Sequence, residues 1–284
     1  AATREILMGG SMRDVPASML AAFFVIAFGL AWGILALYLF AVDWAAATFG
    51  PISGTHPLFM LAVYSPAIAA IGLVMAHGGR RALRRFLGRL LLWRTSWPWA
   101  LLLLVGLPLV FVVGALLKGN LATAPLLTEP APVLLAAMAF MVVLGPIEEI
   151  GWRGFALPLL QRRMAPFWAG MLLGLIWGLW HLPAFFLSGT PQGDWGFLPF
   201  FIGSVAVSLV LTPLFNHSRG SILLAMLFHY QLINPLWPDA QPWDIPVFVL
   251  VAVAVTWLNR RTLFTREGAV TEVIPASGER AMGS

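Results

Sequence analysis

Apolar residues run through this chain in long unbroken stretches, and polar residues are confined to the short gaps between them. The apolar runs cover about Ser18–Val42, Leu58–Met75, Trp97–Leu117, Ala131–Arg163, Phe167–Leu187, Phe197–Phe215, Ser221–Leu236 and Ile245–Leu258. A helix needs about 20 apolar residues to cross about 30 Å of hydrocarbon, and most of these runs approach or exceed that length. None shows the short alternating pattern of barrel strands. The pattern therefore predicts an all-α, polytopic integral membrane helix bundle with about eight transmembrane helices, occupying residues 18–258.

One stretch departs from this pattern. From His77 to Arg94 six arginines recur at helical spacing opposite Leu83, Phe86, Leu87 and Leu90, which predicts an amphipathic helix over 79–94 lying in the membrane interface. Residues 1–17 read as a cytoplasmic amino-terminal segment. It lacks an initiator methionine and carries Gly9-Gly10-Ser11, so its start reads as trimmed or added. The first apolar run is too long for a signal-peptide core and is taken as a retained span. Residues 259–284 are polar and aperiodic and are expected to be a disordered tail.

Hydrophobic residues make up 60% of the chain and charged ones 10%, with a mean hydropathy of +0.87, well outside the range of a soluble domain. There is no cysteine, which excludes disulfides, thiolate nucleophiles and zinc–thiolate sites. A pI near 10.7 in a soluble protein would point to nucleic acid. Here the arginines flank apolar spans, so topology and anionic lipid explain them and no nucleic-acid partner is expected. With eight spans, 16 of the 17 Lys and Arg fall on one side and only Lys118 on the other. That asymmetry places both termini in the cytoplasm, with a bacterial inner membrane as the expected location.

The chemistry concentrates at Gly145-Pro146-Ile147-Glu148-Glu149-Ile150-Gly151-Trp152-Arg153, inside the apolar run from Ala131 to Leu160. A charge near the bilayer centre costs about 2.5–3.5 kcal/mol on insertion scales, so ionisable groups there need partners or a function. On a helix Glu149 and Arg153 are four apart and can pair, while Glu148 points about 100° away. Glu148 is then free for general-base work. His181 and Glu148 each lie about 22 Å, and His229 about 13 Å, from the cytoplasmic ends of their spans, at about 1.5 Å per residue. The three can share one cavity, with Asn234 and Asn216 as nearby amides for an oxyanion.

Plainer roles compete with these. An intramembrane Glu–Arg pair can be structural, and a histidine such as His229 can simply bridge two helices. The stripe Gly170, Gly174, Gly178 permits close helix packing. His56, His77 and His217 sit near span ends and are expected to be solvated. Most of the 13 tryptophans read as an interfacial belt, with Trp152, Trp177 and Trp180 flanking the polar cluster.

Glu148-Glu149-x-x-x-Arg153 matches the EExxxR motif of the CPBP family, the CAAX proteases and bacteriocin-processing enzymes, also called Abi proteins. Trp177-x-x-x-His181 is similar to that family's FxxxH motif with tryptophan in place of phenylalanine, and Phe228-His229 resembles its third motif. The resemblance covers about Ala131 to Pro235. It implies an intramembrane endopeptidase, related to the type II CAAX prenyl endopeptidases, acting on a membrane-associated peptide such as a prenylated CAAX chain end or a bacteriocin-like peptide. It further implies that Glu148 and His181 activate water, that Glu149 and Arg153 support them, and that His229 stabilises the oxyanion. The family's third motif has Asn or Asp four residues after its histidine. Here that place is Ile233, and Asn234 follows one residue later. A zinc ion, if present, would draw on Glu148, His181 and His229; direct glutamate–histidine activation is the preferred expectation. The alternative is a non-catalytic immunity or scaffold protein that binds a peptide in the same pocket.

Overall fold

The computed structural model describes residues 14–276, and among them every regular element is helical. Among the described residues five helices are long and apolar enough to cross a membrane: Met19–Phe40, Trp97–Lys118, Ala131–Gln161, Pro166–Phe186 and Phe197–His217. A sixth crossing arises if Pro57–Val63 and Ser65–Leu91, bent by 57° at Tyr64, act as one span. The chain is an integral membrane protein. The remaining apolar helices, Ile222–Leu232 and Asp244–Leu258, have 11 and 15 residues. At about 1.5 Å per residue they reach about 16 and 22 Å, short of a full crossing. The expected helical bundle is present, and the expected count of eight is not established.

We number the principal helices α1 (Met19–Phe40), α2 (Val42–Phe49), α3 (Pro57–Val63), α4 (Ser65–Leu87), α5 (Trp97–Lys118), α6 (Ala131–Val143), α7 (149–161), α8 (Pro166–Trp180), α9 (Phe197–His217), α10 (Ile222–Leu232) and α11 (Asp244–Leu258). Prolines set several of their starts. Pro57, Pro98 and Pro166 occupy first-turn positions, where the missing N–H removes nothing from the helical ladder. His56 caps α3 by accepting from Leu58 N, and Ser221 caps α10 by accepting from Leu224 N.

Prolines inside the spans have a different effect. α5 contains a π-turn at Leu102–Gly106 followed by Pro108, and α7 one at Trp152–Ala156 followed by Pro158. A proline cannot donate to the carbonyl four or five residues earlier, so one carbonyl per site leaves the ladder. In a membrane that carbonyl needs another donor. Gln231 Nε2 donates to Leu103 O at 2.8 Å, and Arg89 Nη1 donates to Gly154 O at 2.8 Å. Each repair ties two helices together.

The glycine stripe of α8 packs within the chain. A Cβ on Gly170 would lie 2.4 Å from Thr212 Oγ1, and one on Gly174 would lie 2.8 Å from the Cα of Val205. Only glycine permits that approach, and Ser208 Oγ uses it to donate to Gly170 O at 2.7 Å. α9 is thereby clamped on α8, and α11 covers its other side.

Three expectations change here. The arginine-rich stretch does begin a new helical segment after the non-helical break at Gly78–Gly79, but that helix ends at Leu87 and passes into a 3₁₀ turn over Gly88–Leu91, short of the expected 94. Arg80, Arg81 and Arg84 are exposed as expected, but Arg89 is 2% exposed. Its guanidinium donates to Gly220 O at 2.8 Å and Val273 O at 3.2 Å as well as to Gly154 O, and stands over the ring of Phe215. Arg89 and the fully buried Arg153 therefore contribute nothing to loop charge, which removes two arginines from the topology count. Third, residues 259–276 are structured: Val273 is buried, and the backbone of 270–274 is held by Gln161, Arg162, Asn216, Arg89 and Asp14. Asp14 also pairs with Arg162. The rest of the expected tail, 277–284, and most of the amino-terminal segment, 1–13, lie outside the described residues.

Arg89→Met keeps the length of the side chain and removes every donor. Each buried carbonyl left unsatisfied costs about 1–3 kcal/mol. The variant is expected to melt at lower temperature in detergent and to lose the segment after Arg266 faster under limited proteolysis; unchanged melting and cleavage would refute the clamp.

Candidate functional site

α6 ends at Leu144, where φ and ψ are −82° and −87°, and Pro146 follows without a donor. The hydroxyl of Tyr64, at the α3–α4 bend, donates to the freed Val143 carbonyl at 2.6 Å. The chain then re-enters helix through a 3₁₀ turn at Pro146–Glu148, which carries Glu148 and Glu149 inward. Glu148 is 3% exposed, and Glu149 and Arg153 are 0%.

The expected i,i+4 pair forms. Arg153 Nη1 lies 3.0 Å from each Glu149 oxygen, and His229 Nδ1 of α10 lies 2.8 Å from Glu149 Oε1. A carboxylate only accepts, so His229 carries its proton on Nδ1 toward Glu149. Its Nε2 edge faces Gly145, where a Cβ would stand 3.0 Å from Nε2. Glycine at 145 is what lets the imidazole approach the broken helix.

Glu148 takes the other direction. Its Oε2 accepts from two indoles, Trp177 Nε1 at 2.9 Å and Trp152 Nε1 at 3.3 Å. His181, at the end of α8, turns Nδ1 toward the Trp177 carbonyl at 2.8 Å. A carbonyl cannot donate, so that nitrogen bears the proton and Nε2 presents a lone pair. Trp177 lies between the groups: its ring is 5.4 Å from that of His181 and 5.5 Å from that of His229, and Arg153 stands 5.0 Å from its centroid. Trp180 donates to Ala27 O at 3.3 Å, anchoring α8 to α1.

The structure thus gathers Glu148, Glu149, Arg153, His181 and His229 around Trp177. Among the described residues Asn234 makes no hydrogen bond to this cluster. That amide donates to Gln231 Oε1 at 3.0 Å and accepts from Leu236 N at 3.1 Å, closing the turn after α10. Asn216 is paired with Gln161 and Val270 on the far side of α7. Among the described residues no three His, Asp or Glu side chains converge closely enough to hold a metal. Nδ1 of each histidine engages Glu149 or the Trp177 carbonyl, so a metal-ligating role for either ring would fall to Nε2. The indole donors are the site residues that sequence reasoning missed as donors. Trp152 stands four residues after Glu148, the same helical step that identified Arg153 with Glu149.

Fold and site together define a membrane-embedded helical protein whose buried carboxylates and imidazoles meet at a broken span. Residues 130–233, which contain the whole cluster, match the family described as Rce1-like, type II CAAX prenyl endopeptidase Rce1-like. A relative described as CAAX prenyl protease 2, from Methanococcus maripaludis, is 31% identical over 153 residues, covering 50% of this chain and 55% of the relative. Through this segment the chain is similar to the Rce1-like family. The chain spans about half the length of that curated relative.

Replacing Glu149 leaves the buried guanidinium without its counter-charge, a loss of about 3–5 kcal/mol where one partner of a buried pair is removed. Glu149→Gln is therefore expected to lower the melting temperature far more than Glu148→Gln, whose carboxylate is held by neutral donors. Equal melting of the two variants in the same detergent would contradict the assignment of roles.

Proposed function

We propose that the chain is an intramembrane endopeptidase that hydrolyses a peptide bond of a membrane-associated substrate. The observation that carries this reading is the separation of two adjacent buried carboxylates, one bonded to Arg153 and His229, the other hydrogen-bonded, among the described residues, by two indole N–H groups. Both indoles converge on Glu148 Oε2, which leaves Oε1 to take a proton from water. The lone pair on His181 Nε2 orients that water from its other side.

The water oxygen attacks the scissile carbonyl carbon, its proton passes to Glu148, and the tetrahedral oxyanion forms. His229 donates from Nε2 to that oxyanion while Glu149 holds its Nδ1 edge. Collapse breaks the C–N bond, and Glu148 returns the proton to the leaving amine. Arg153 and Glu149 hold the His229 ring without touching substrate. Asn234, one of two amides considered for the oxyanion, is hydrogen-bonded within the turn after α10, and His229 is the donor we assign.

The family and its relative support a prenylated CAAX-type peptide as the substrate class, with a bacteriocin-like hydrophobic peptide as the other family substrate. On an eight-span arrangement the arginine distribution favours cytoplasmic termini, and a bacterial inner membrane is the location we propose.

The test is cleavage of a farnesylated CAAX peptide, its unlipidated twin and a hydrophobic leader peptide by the chain in detergent or liposomes. General-base catalysis contributes roughly 10²–10⁴-fold. Glu148→Gln is expected to lose activity on that scale while melting like the parent; full activity in this variant would refute the mechanism. Peptide binding that survives both Glu148→Gln and His181→Ala, with no cleavage by the parent, would make the chain a binding protein instead.

A further inference from the structure

We infer that Trp177 and Trp152 form a two-indole clamp on Glu148, and that Trp177 is a positioning residue for the reacting carboxylate. The kinetic part of this inference rests on the peptidase reading above; the structural part does not. Trp177 Nε1 and Trp152 Nε1 reach the same oxygen, Glu148 Oε2, from two different helices, α8 and α7. Trp152 is held in turn by edge contacts with Phe23 at 5.5 Å and Trp180 at 5.8 Å, and is fully buried. Neither indole can swing away without opening this packing.

The chemistry suits the position. An indole N–H donates but does not accept, so it cannot compete with Glu148 for a water proton. Its large apolar faces keep bulk water from the carboxylate, whereas a hydroxyl or an imidazole there would bring an acceptor. Two donors on one oxygen fix the rotation of the carboxylate and direct Oε1 toward the reacting water. Trp177 does more than this, because its carbonyl accepts from His181 Nδ1 and so sets which nitrogen of that ring bears the lone pair. One residue thus orients both groups that face the water.

In the motif that Trp177-x-x-x-His181 resembles, the first residue is phenylalanine, an aromatic ring without an N–H donor. Trp177→Phe therefore separates ring packing from hydrogen bonding. A hydrogen bond to a charged group contributes enough that its loss corresponds to roughly ten- to a hundredfold in rate. For Trp177→Phe we expect kcat on the cleaved peptide to fall within that range, KM to stay within about twofold, and the melting temperature to be nearly unchanged. Trp152→Phe, which removes the longer bond, is expected to have a smaller effect. A packing role would instead lower stability and leave the ratio of kcat to KM effects without this split.

A second measurement does not depend on turnover. In ¹⁵N-tryptophan-labelled chain in micelles, the indole N–H resonances of Trp152 and Trp177 are assigned by their loss in the two Phe variants. Both are expected to shift in Glu148→Gln, because the charged acceptor has gone. Wild-type kcat in Trp177→Phe overturns the positioning role and leaves the peptidase reading standing. If the parent cleaves none of the peptides, the peptidase reading falls, and the resonances alone decide the clamp: unmoved indole signals in Glu148→Gln overturn it.

Discussion

A single buried carboxylate, Glu149, holds the interior of this protein in register. It is completely enclosed, accepts two contacts from Arg153 one turn later on α7, and accepts Nδ1 of His229 across the bundle on α10. Removing two opposite charges from water costs several kcal/mol per ion, and attraction between them offsets this only with good geometry and satisfied lone pairs. Here the short i,i+4 step gives the geometry and the imidazole uses a remaining lone pair. The pair contributes little net stability by itself. What it adds between helices is the bond from His229, which fixes α10 against α7 at the Glu149 carboxylate.

The same demand for partners shapes the backbone. Prolines 108, 146 and 158 interrupt the helical ladders within hydrocarbon, where no water can replace a missing N–H. In each case a side chain from elsewhere meets a carbonyl at the interruption: Gln231 at Leu103, Tyr64 at Val143 and Arg89 at Gly154. The irregular turns thus become joints between helices. The break at Leu144–Glu148 directs two acids inward, and the π-turn at Trp152–Ala156 is braced by Arg89, which also holds the backbone at Gly220 and Val273. The polar cluster and the chain's C-terminal strap are linked through that arginine.

Much of the cluster was legible one helix at a time. The four-residue step from Glu149 to Arg153 makes their pairing local, and the depth arithmetic brought Glu148, His181 and His229 to compatible levels. The glycine step in α8 likewise announced a close helical neighbour, which the structure identifies as α9 through Val205, Ser208 and Thr212. Arg89 was misread because its spacing fits the solvated face of an amphipathic helix. Nothing local shows that a 3₁₀ turn rotates it inward to three distant carbonyls. Asn234 was placed near the oxyanion by its offset from His229, but α10 ends at Leu232, and the amide is taken up by the turn that follows.

By itself the sequence determined what depends on composition and short-range period: a helical membrane protein, its long apolar spans, the neutralised Glu149 and the presence of an acid left over beside it. Tertiary structure alone decided which oxygen of Glu148 is held and by whom, which nitrogen of each histidine is free, and whether an arginine faces lipid headgroups or carbonyls. The physical reason is range. Helical periodicity and apolar length act over a few residues, whereas a hydrogen bond between Glu148 and Trp177, 29 positions apart, exists only once two helices have packed.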